Sequence, residues 1–262
     1  MSTDSPFSPA GQAPQPQPPT KDNTGTIILI ILAVTFFLFL VCAGLLALLL
    51  MPAITAARSA ATQAQKNNEL KMVALAMHNY HDVHRQLPAA YSTDSDGNQL
   101  GSWRVALTPF LESQHIWDQW DSTQAWDSPA NQPLLEQTPT EYRAVGDEPA
   151  GAHSGETHLF AIRHPQTVFG SSEPVRFRDI LDGTSNTIAL VYLPNVSVPW
   201  TSPQDISLEE AYVHISQTTP QAPVYFVMSD GSVRRVTSPP SQETFEALVT
   251  YNGREMIDDD AF

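Results

Sequence analysis

The chain contains one uninterrupted apolar run, Ile27 to Met51, 25 positions without a charged residue. As an α-helix such a run measures about 37 Å at roughly 1.5 Å per residue, and a bilayer hydrocarbon core is about 30 Å thick. A helix buried in a soluble core is shorter and keeps a polar face. A secretory signal has an apolar region of roughly 7–15 residues ending at a small-residue cleavage site. Ala56-Ala57 offers such a site, but the run before it is too long. The run therefore reads as a transmembrane helix over residues 26–51, with lipid as its partner through residues 27–51. Cys42, inside it, is the single cysteine of the chain, which excludes an internal disulfide framework and a Cys-rich zinc site.

The flanks of this run set the domain plan. Residues 1–25 carry six prolines, with Pro-Gln-Pro-Gln-Pro-Pro at 14–19, and read as an extended, disordered tail. After Pro52, where a kink is expected, the alanines 53, 56, 57, 60, 61 and 64 favour helix. Leu70, Val73, Met77 and Tyr80 then fall on one helical stripe. The helix should run over residues 52–87 and end near Arg85 to Leu87, ahead of Pro88. Its stripe must cover something: the chain's own sheet in the first instance, a partner helix as the alternative.

Residues 88–262 read as an α+β globular domain. Strands are expected at Thr187 to Leu193, Val224 to Met228 and Ser232 to Thr237, and helices at Leu107 to Trp120 and Gln242 to Thr250. Asp96-Gly97-Asn98, Asp182-Gly183 and Asp230-Gly231 are hairpin turn signals. The fold class is thus a long helix packed on an antiparallel sheet.

Charge bounds the partners. Thirteen Lys and Arg against 28 Asp and Glu give a net charge near −15, which argues against nucleic acid and anionic membrane surfaces as binding partners. Lys21 precedes the span, whereas Arg58, Lys66 and Lys71 follow it. That bias alone favours a cytoplasmic C-terminus, although long domains translocate regardless of charge.

Few residues group in patterns that carry chemistry. His78, His81 and His84, with Asp82 between them, could present metal ligands. However, six residues along a helix rotate about 120° from the first face, so three rings do not converge. Asp94-Ser95-Asp96-Gly97-Asn98 resembles the start of a calcium loop but lacks its later ligands, and a turn is the better reading. Trp117, Asp118, Trp120, Asp121, Trp126 and Asp127 form an aromatic-acidic cluster that could stack a sugar or hold a cation. Core filling by Trp and capping by Asp is the plainer account. There is no Gly-x-Ser-x-Gly elbow, Walker loop or dinucleotide fingerprint. Turn chemistry explains Asp182-Gly183-Thr184-Ser185-Asn186, and Asp258-Asp259-Asp260 reads as a solvated end. No catalytic residue, metal set or cofactor is expected.

Seven blocks, in order, resemble a large planctomycete family of unknown function with prepilin-type N-termini, sometimes labelled solute-binding-like. They are Met51 to Arg58; Asn67 to Lys71 leading into Met77 to His84 and Leu87-Pro88; and Asp96-Gly97 with Gly101 to Val105 and Pro109 to Glu112. Trp126 to Asn131, Asp179 to Ile188, Val198 to Thr201 and Ser229 to Val233 complete the set. The signature residues are Tyr80, His81, His84, Pro88, Trp103, Arg104, Asp182, Gly183, Thr184, Ser185, Asn186, Pro199, Trp200, Asp230 and Gly231, with structural roles. The resemblance implies a pseudopilin-like protein: N-terminus cytoplasmic, one span in the cytoplasmic membrane, the C-terminal domain outside. That outweighs the charge bias on topology.

The chain departs from the family at three points. The prepilin peptidase site would read Gly, Phe and a Glu at the fifth mature position. Here Gly25 is followed by Thr26, and Ile30 stands where the Glu would be. A family His ahead of the last Asp-Gly is replaced by Pro220, His214 being out of register, and Tyr192 or a neighbour replaces the Glu after the Thr-Ile strand. The expected function is non-enzymatic: an anchored, pseudopilin-like component of envelope structure, assembly or secretion, as a homo-oligomer or with other pilin-like subunits. The alternatives are a tethered binding module for a sugar or peptide, using Trp117, Trp120, Trp126, Asp118 and Asp121, and, more remotely, a hydrolase.

Overall fold

A computed structural model describes residues 23–143, 155–170 and 172–253. The Pro-Gln stretch of the tail and the Asp258 to Asp260 run lie outside the described residues. The chain divides into two compact units, the first through Arg58 and the second from Ser59 onward. The helix α1 (Thr24–His84) contributes to both.

In the first unit, every described residue from Ile27 to Arg58 is exposed. Phe36, Phe37 and Phe39 are each at least 64% accessible. Pro52 lies inside the helix without ending it. Its ring removes one backbone donor, and the Thr55 hydroxyl donates to the carbonyls of Met51 and Pro52 nearby, at 3.2 and 2.9 Å. The segment is long and apolar enough to cross a membrane.

The second unit is α+β. Its strands are β1 (Tyr91–Thr93), β2 (Gln99–Ser102), β3 (Glu156–Thr157), β4 (Leu159–Arg163), β5 (Ile188–Tyr192), β6 (Val198–Pro199), β7 (Ile206–Ser207), β8 (Val224–Met228) and β9 (Val233–Val236). Five of them form the main sheet, in the order β7-β4-β5-β8-β9. β7 runs parallel to β4 and the other pairs are antiparallel. Strands β1 and β2 make a hairpin, and β3 pairs with β6.

Alternation along the strands sends side chains to two cores. Leu159, Ala161, Tyr225 and Val227 join Leu70, Val73, Ala74 and Met77 of α1 in one buried cluster. Phe160, Ile162, Val191, Phe226 and Met228 face a second, closed by α4 (Leu208–Ile215) and α5 (Gln242–Val249) through Ala211, Ile215, Phe245 and Leu248. The stripe predicted on α1 therefore covers the chain's own sheet. The pairing of β5 with β8 shifts register between Ile188 and Leu190. This bulge explains why the adjacent Ala189 and Leu190 both join the core that α1 helps to build.

Two expectations need correction. Leu107 to Trp120 is not one helix: after the short α2 (Trp103–Ala106) it holds only two short turns, a 3₁₀ turn (Thr108–Phe110) and α3 (Gln114–Trp117). Pro109 removes a helical donor and Glu112 adopts φ 55°, which stops the helix. The Asp182-Gly183 turn is not a hairpin; it follows a 3₁₀ turn at Phe177–Asp179 and leads into β5.

Candidate functional site

Three groups of residues merit description. The first is buried. Ser102 caps α2, with its hydroxyl accepting from the Arg104 amide. This sets Trp103 and Arg104 pointing inward with no exposure. The Arg104 guanidinium meets Asp205 at 2.6 Å, and neither side chain reaches solvent. Arg104 also donates through Nε and Nη2 to the Leu159 carbonyl at 3.1 and 2.7 Å, and through Nη1 to the Ser102 hydroxyl at 2.8 Å. Asp205 accepts further from the Ala161 amide at 2.9 Å and the Trp103 indole at 3.1 Å. Burial pushes the Asp205 carboxyl upward, against the pull of the Arg104 guanidinium and the Ala161 amide. Trp200, fully buried beside this node, donates its indole N–H to Leu135 and stacks on Tyr142, while Pro199 pairs with Glu156. Pro88 is buried as well. The node ties α2, β4 and the segment before β7 into one body. It is a structural linchpin, closed to solvent.

The second group lies where the Asp-Gly turns meet. Asp230 donates its amide to Thr184 and Ser229 donates to Thr187, joining the two turns at 3.0 and 2.9 Å. Asn186 donates its amide N–H to the Gly183 carbonyl, Arg234 donates to Ser185, and Asp182 accepts from the Gly253 amide. Gly183 and Gly231 have φ 91° and 90°, a region that favours glycine. His78 of α1 donates Nε2–H to the Ser229 carbonyl at 3.1 Å. Residues from three distant blocks thus converge at one end of the sheet, tied together by bonds to the backbone.

The third group holds the predicted Trp-Asp cluster. Trp117 is 42% exposed, whereas Trp120 and Trp126 are half-buried. The Trp120 ring lies so close over Gly101 that a Cβ there would sit 2.6 Å from it. Asp118 accepts from Gln114. Asp121 accepts from the hydroxyl and amide of Thr123, which hold its carboxyl below the usual range. Asn131, fully buried, organises the loop by bonding the backbone of Asp121, Gln124 and Ala125. The three rings sit at different depths, and the two carboxylates are engaged in local turns.

The histidines of α1 separate. His78 and His81 lie against Phe177, with ring centroids 4.5 and 4.4 Å apart, while His84 stacks on Tyr80 and meets Phe110 edge-on. Burial lowers the His81 pKa, with Asp82 pulling the other way, and raises that of Tyr80. Asp94 accepts from the backbone of Asp96 and Asn98, closing the β1–β2 turn. Among the described residues no group of three or more His, Cys, Asp or Glu is placed to hold a metal ion. Beside these rings, His81, His84, Arg85, Gln86, Arg176 and Arg178 line an open cleft of about 370 Å³.

Residues 55–165 match the model of a family described as protein of unknown function (DUF1559), labelled SBP_bac_10. No curated protein and no solved structure matches the chain. The matched stretch contains Tyr80, Trp103, Arg104 and the Trp-Asp loop, and it omits the apolar run. Sequence reasoning missed Asp205, which sits in a Ser-Pro-Gln-Asp loop with no local mark of its ion pair. It also missed the cleft, although Arg176-Phe177-Arg178 is an unusual cationic pair in so acidic a chain.

Proposed function

We propose that the chain is a single-pass membrane protein, anchored through residues 27–51, that displays an α+β domain outside the cytoplasmic membrane as a non-enzymatic, pseudopilin-like component of envelope structure or assembly. The observation that carries this reading is the exposure of every side chain along the 25-residue apolar run, beside a second unit that closes its own cores. In water such a surface costs about 25 cal/mol per Å² of apolar area, and lipid removes that cost. The length of the run favours an anchor over a cleaved signal. The signature residues support a structural role, since Arg104, Trp200 and Asp230 bond within the fold.

Ile30 stands where a pilin-like subunit would carry its intramembrane Glu. In this reading the protein is therefore a permanent anchor rather than a filament subunit. Carbonate extraction of native membranes, with the mass and N-terminal sequence of the retained chain, tests it. Retention with the tail intact is the expected result. A soluble form beginning near Ala57 would overturn the anchor, and a start at Thr26 would restore peptidase processing. The binding-module reading draws on one observation, the exposure of Trp117.

A further inference from the structure

We propose that the cleft at the C-terminal end of α1 binds a small multivalent oxyanion, a solute carrying one or two phosphoryl groups. The inference is independent of membrane anchoring. Three of the chain's 13 Lys and Arg, together with two His, line this one cleft, and no acidic side chain lines it. In a protein with a net charge near −15 such a concentration is against the grain. Among the described residues the Arg85 and Arg176 guanidinium groups make no ion pair. Arg178 meets Asp179 only at 3.8 Å, with the two side chains 73% and 48% exposed, and such a pair neutralises little.

The cations are held in place by the backbone. Arg85 ends α1 in the left-handed region at φ 63°, its amide donating to the His81 carbonyl at 2.7 Å. Glycine would take that position with less strain. Two residues on, Leu87 donates to the Val175 carbonyl at 2.8 Å, which fixes the helix end to the segment that carries Arg176 and Arg178. Phe177, between those two arginines, is held by the His78 and His81 rings. The two edges of the cleft are therefore tied together before any ligand arrives. Like charges gathered this way repel one another, and an anion between them relieves that repulsion. Planar guanidinium forks match phosphoryl oxygens in two-bond geometry, and the Gln86 amide adds a neutral donor. A volume of about 370 Å³ exceeds a bare phosphate and falls within the range of small-solute sites.

The test is calorimetric titration of inorganic pyrophosphate into the full chain in uncharged maltoside micelles, at about 0.1 M NaCl to screen diffuse attraction. Saturable, single-site binding is expected. The Arg85→Gln/Arg176→Gln variant should bind at least about tenfold more weakly, and Arg176→Gln alone, which leaves the helix end untouched, about threefold or more. The Arg234→Gln/Arg235→Gln variant removes the same charge from β9 and should bind within about twofold of the parent. Far-ultraviolet circular dichroism confirms that each variant is folded. No saturable binding to the parent chain overturns the proposal. So does equal weakening by the two double variants, which would mean attraction to net charge rather than to this cleft.

Discussion

Asp205→Asn is the most informative single change. The native carboxylate offers two oxygens to three donors: Oδ1 to Arg104 and Ala161, Oδ2 to the Trp103 indole. Asparagine keeps one acceptor. If that oxygen faces Arg104 and Ala161, the amide NH₂ meets the indole N–H, donor against donor. If it faces the indole, Arg104 and Ala161 lose their partner. Either way the guanidinium, with a fully buried side chain, keeps its bonds to Leu159 and Ser102 but loses its counter-charge. Removing one partner of a buried ion pair costs about 3–5 kcal/mol, and an orphaned buried donor about 1–3 kcal/mol. These overlap, and the retained oxygen recovers part, so we expect a loss of about 3–4 kcal/mol.

For a domain of this size about 2–4 °C of midpoint accompanies each kcal/mol, so the unfolding midpoint should fall by roughly 6–16 °C. Urea unfolding of the full chain in micelles, followed by tryptophan emission, reads both stability and the Trp103 environment. Replacing both charges, Arg104→Met with Asp205→Leu, should cost less than the sum of the two single changes, because no charge is then left stranded. A loss under about 1 kcal/mol for Asp205→Asn, or a double variant worse than that sum, would refute the account of this node.

Gly170→Ala would drive a Cβ into the His164 carbonyl and within 3.2 Å of the Thr167 carbonyl. The urea midpoint should drop by the equivalent of about 2–3 kcal/mol at unchanged slope. His78→Ala strips the Ser229 carbonyl of its donor and Phe177 of a stacked ring, and should cost about 1–2 kcal/mol in the same assay. Burial holds the His158 pKa below its ordinary value, against the Val196 carbonyl that its Nδ1–H faces. The unfolded chain then takes up the proton first, so this residue's contribution is complete above about pH 6.5 and is lost as pH falls from there to the folded value. His158→Asn should flatten the stability profile between about pH 7.5 and 5.5, and an unchanged slope would count against the assignment.

The legible parts of the fold are those specified within one element. Leu70, Val73, Met77 and Tyr80 repeat at helical spacing, so the covered face of α1 could be read directly. The runs at β5, β8 and β9 are short, apolar and bounded by turns, and they emerged within a residue or two of expectation. Strand β4 has the same texture, Leu-Phe-Ala-Ile, and passed unnoticed because no turn signal brackets it tightly. Helix α4 was missed as well, although Ser207 and Glu210 form a reciprocal capping box that marks its start. What could not be read is what depends on distance in the chain. Asp205 pairs with Arg104 across 101 positions, and Arg85 and Arg176 share one cleft where Leu87 is bonded to Val175. Nothing local at either end announces the other.

The same long-range bonds bear on the stretch that matches a family model. It starts inside α1 and stops at residue 165, just after β4. Strand β4 is an inner strand of the main sheet, and both of its neighbours, β5 and β7, come later in the chain. The counter-charge of Arg104 comes later too, as do Leu190, Tyr225 and Val227, which share a core with the stripe on α1. Residues 55–165 alone would leave β4 with two unpaired edges and a buried arginine without its carboxylate. The matched stretch is therefore not a folding unit. The physical unit extends at least to α5, whose Phe245 and Leu248 close the second core. In this chain Trp103 and Arg104 do their structural work only together with residues that the match does not reach.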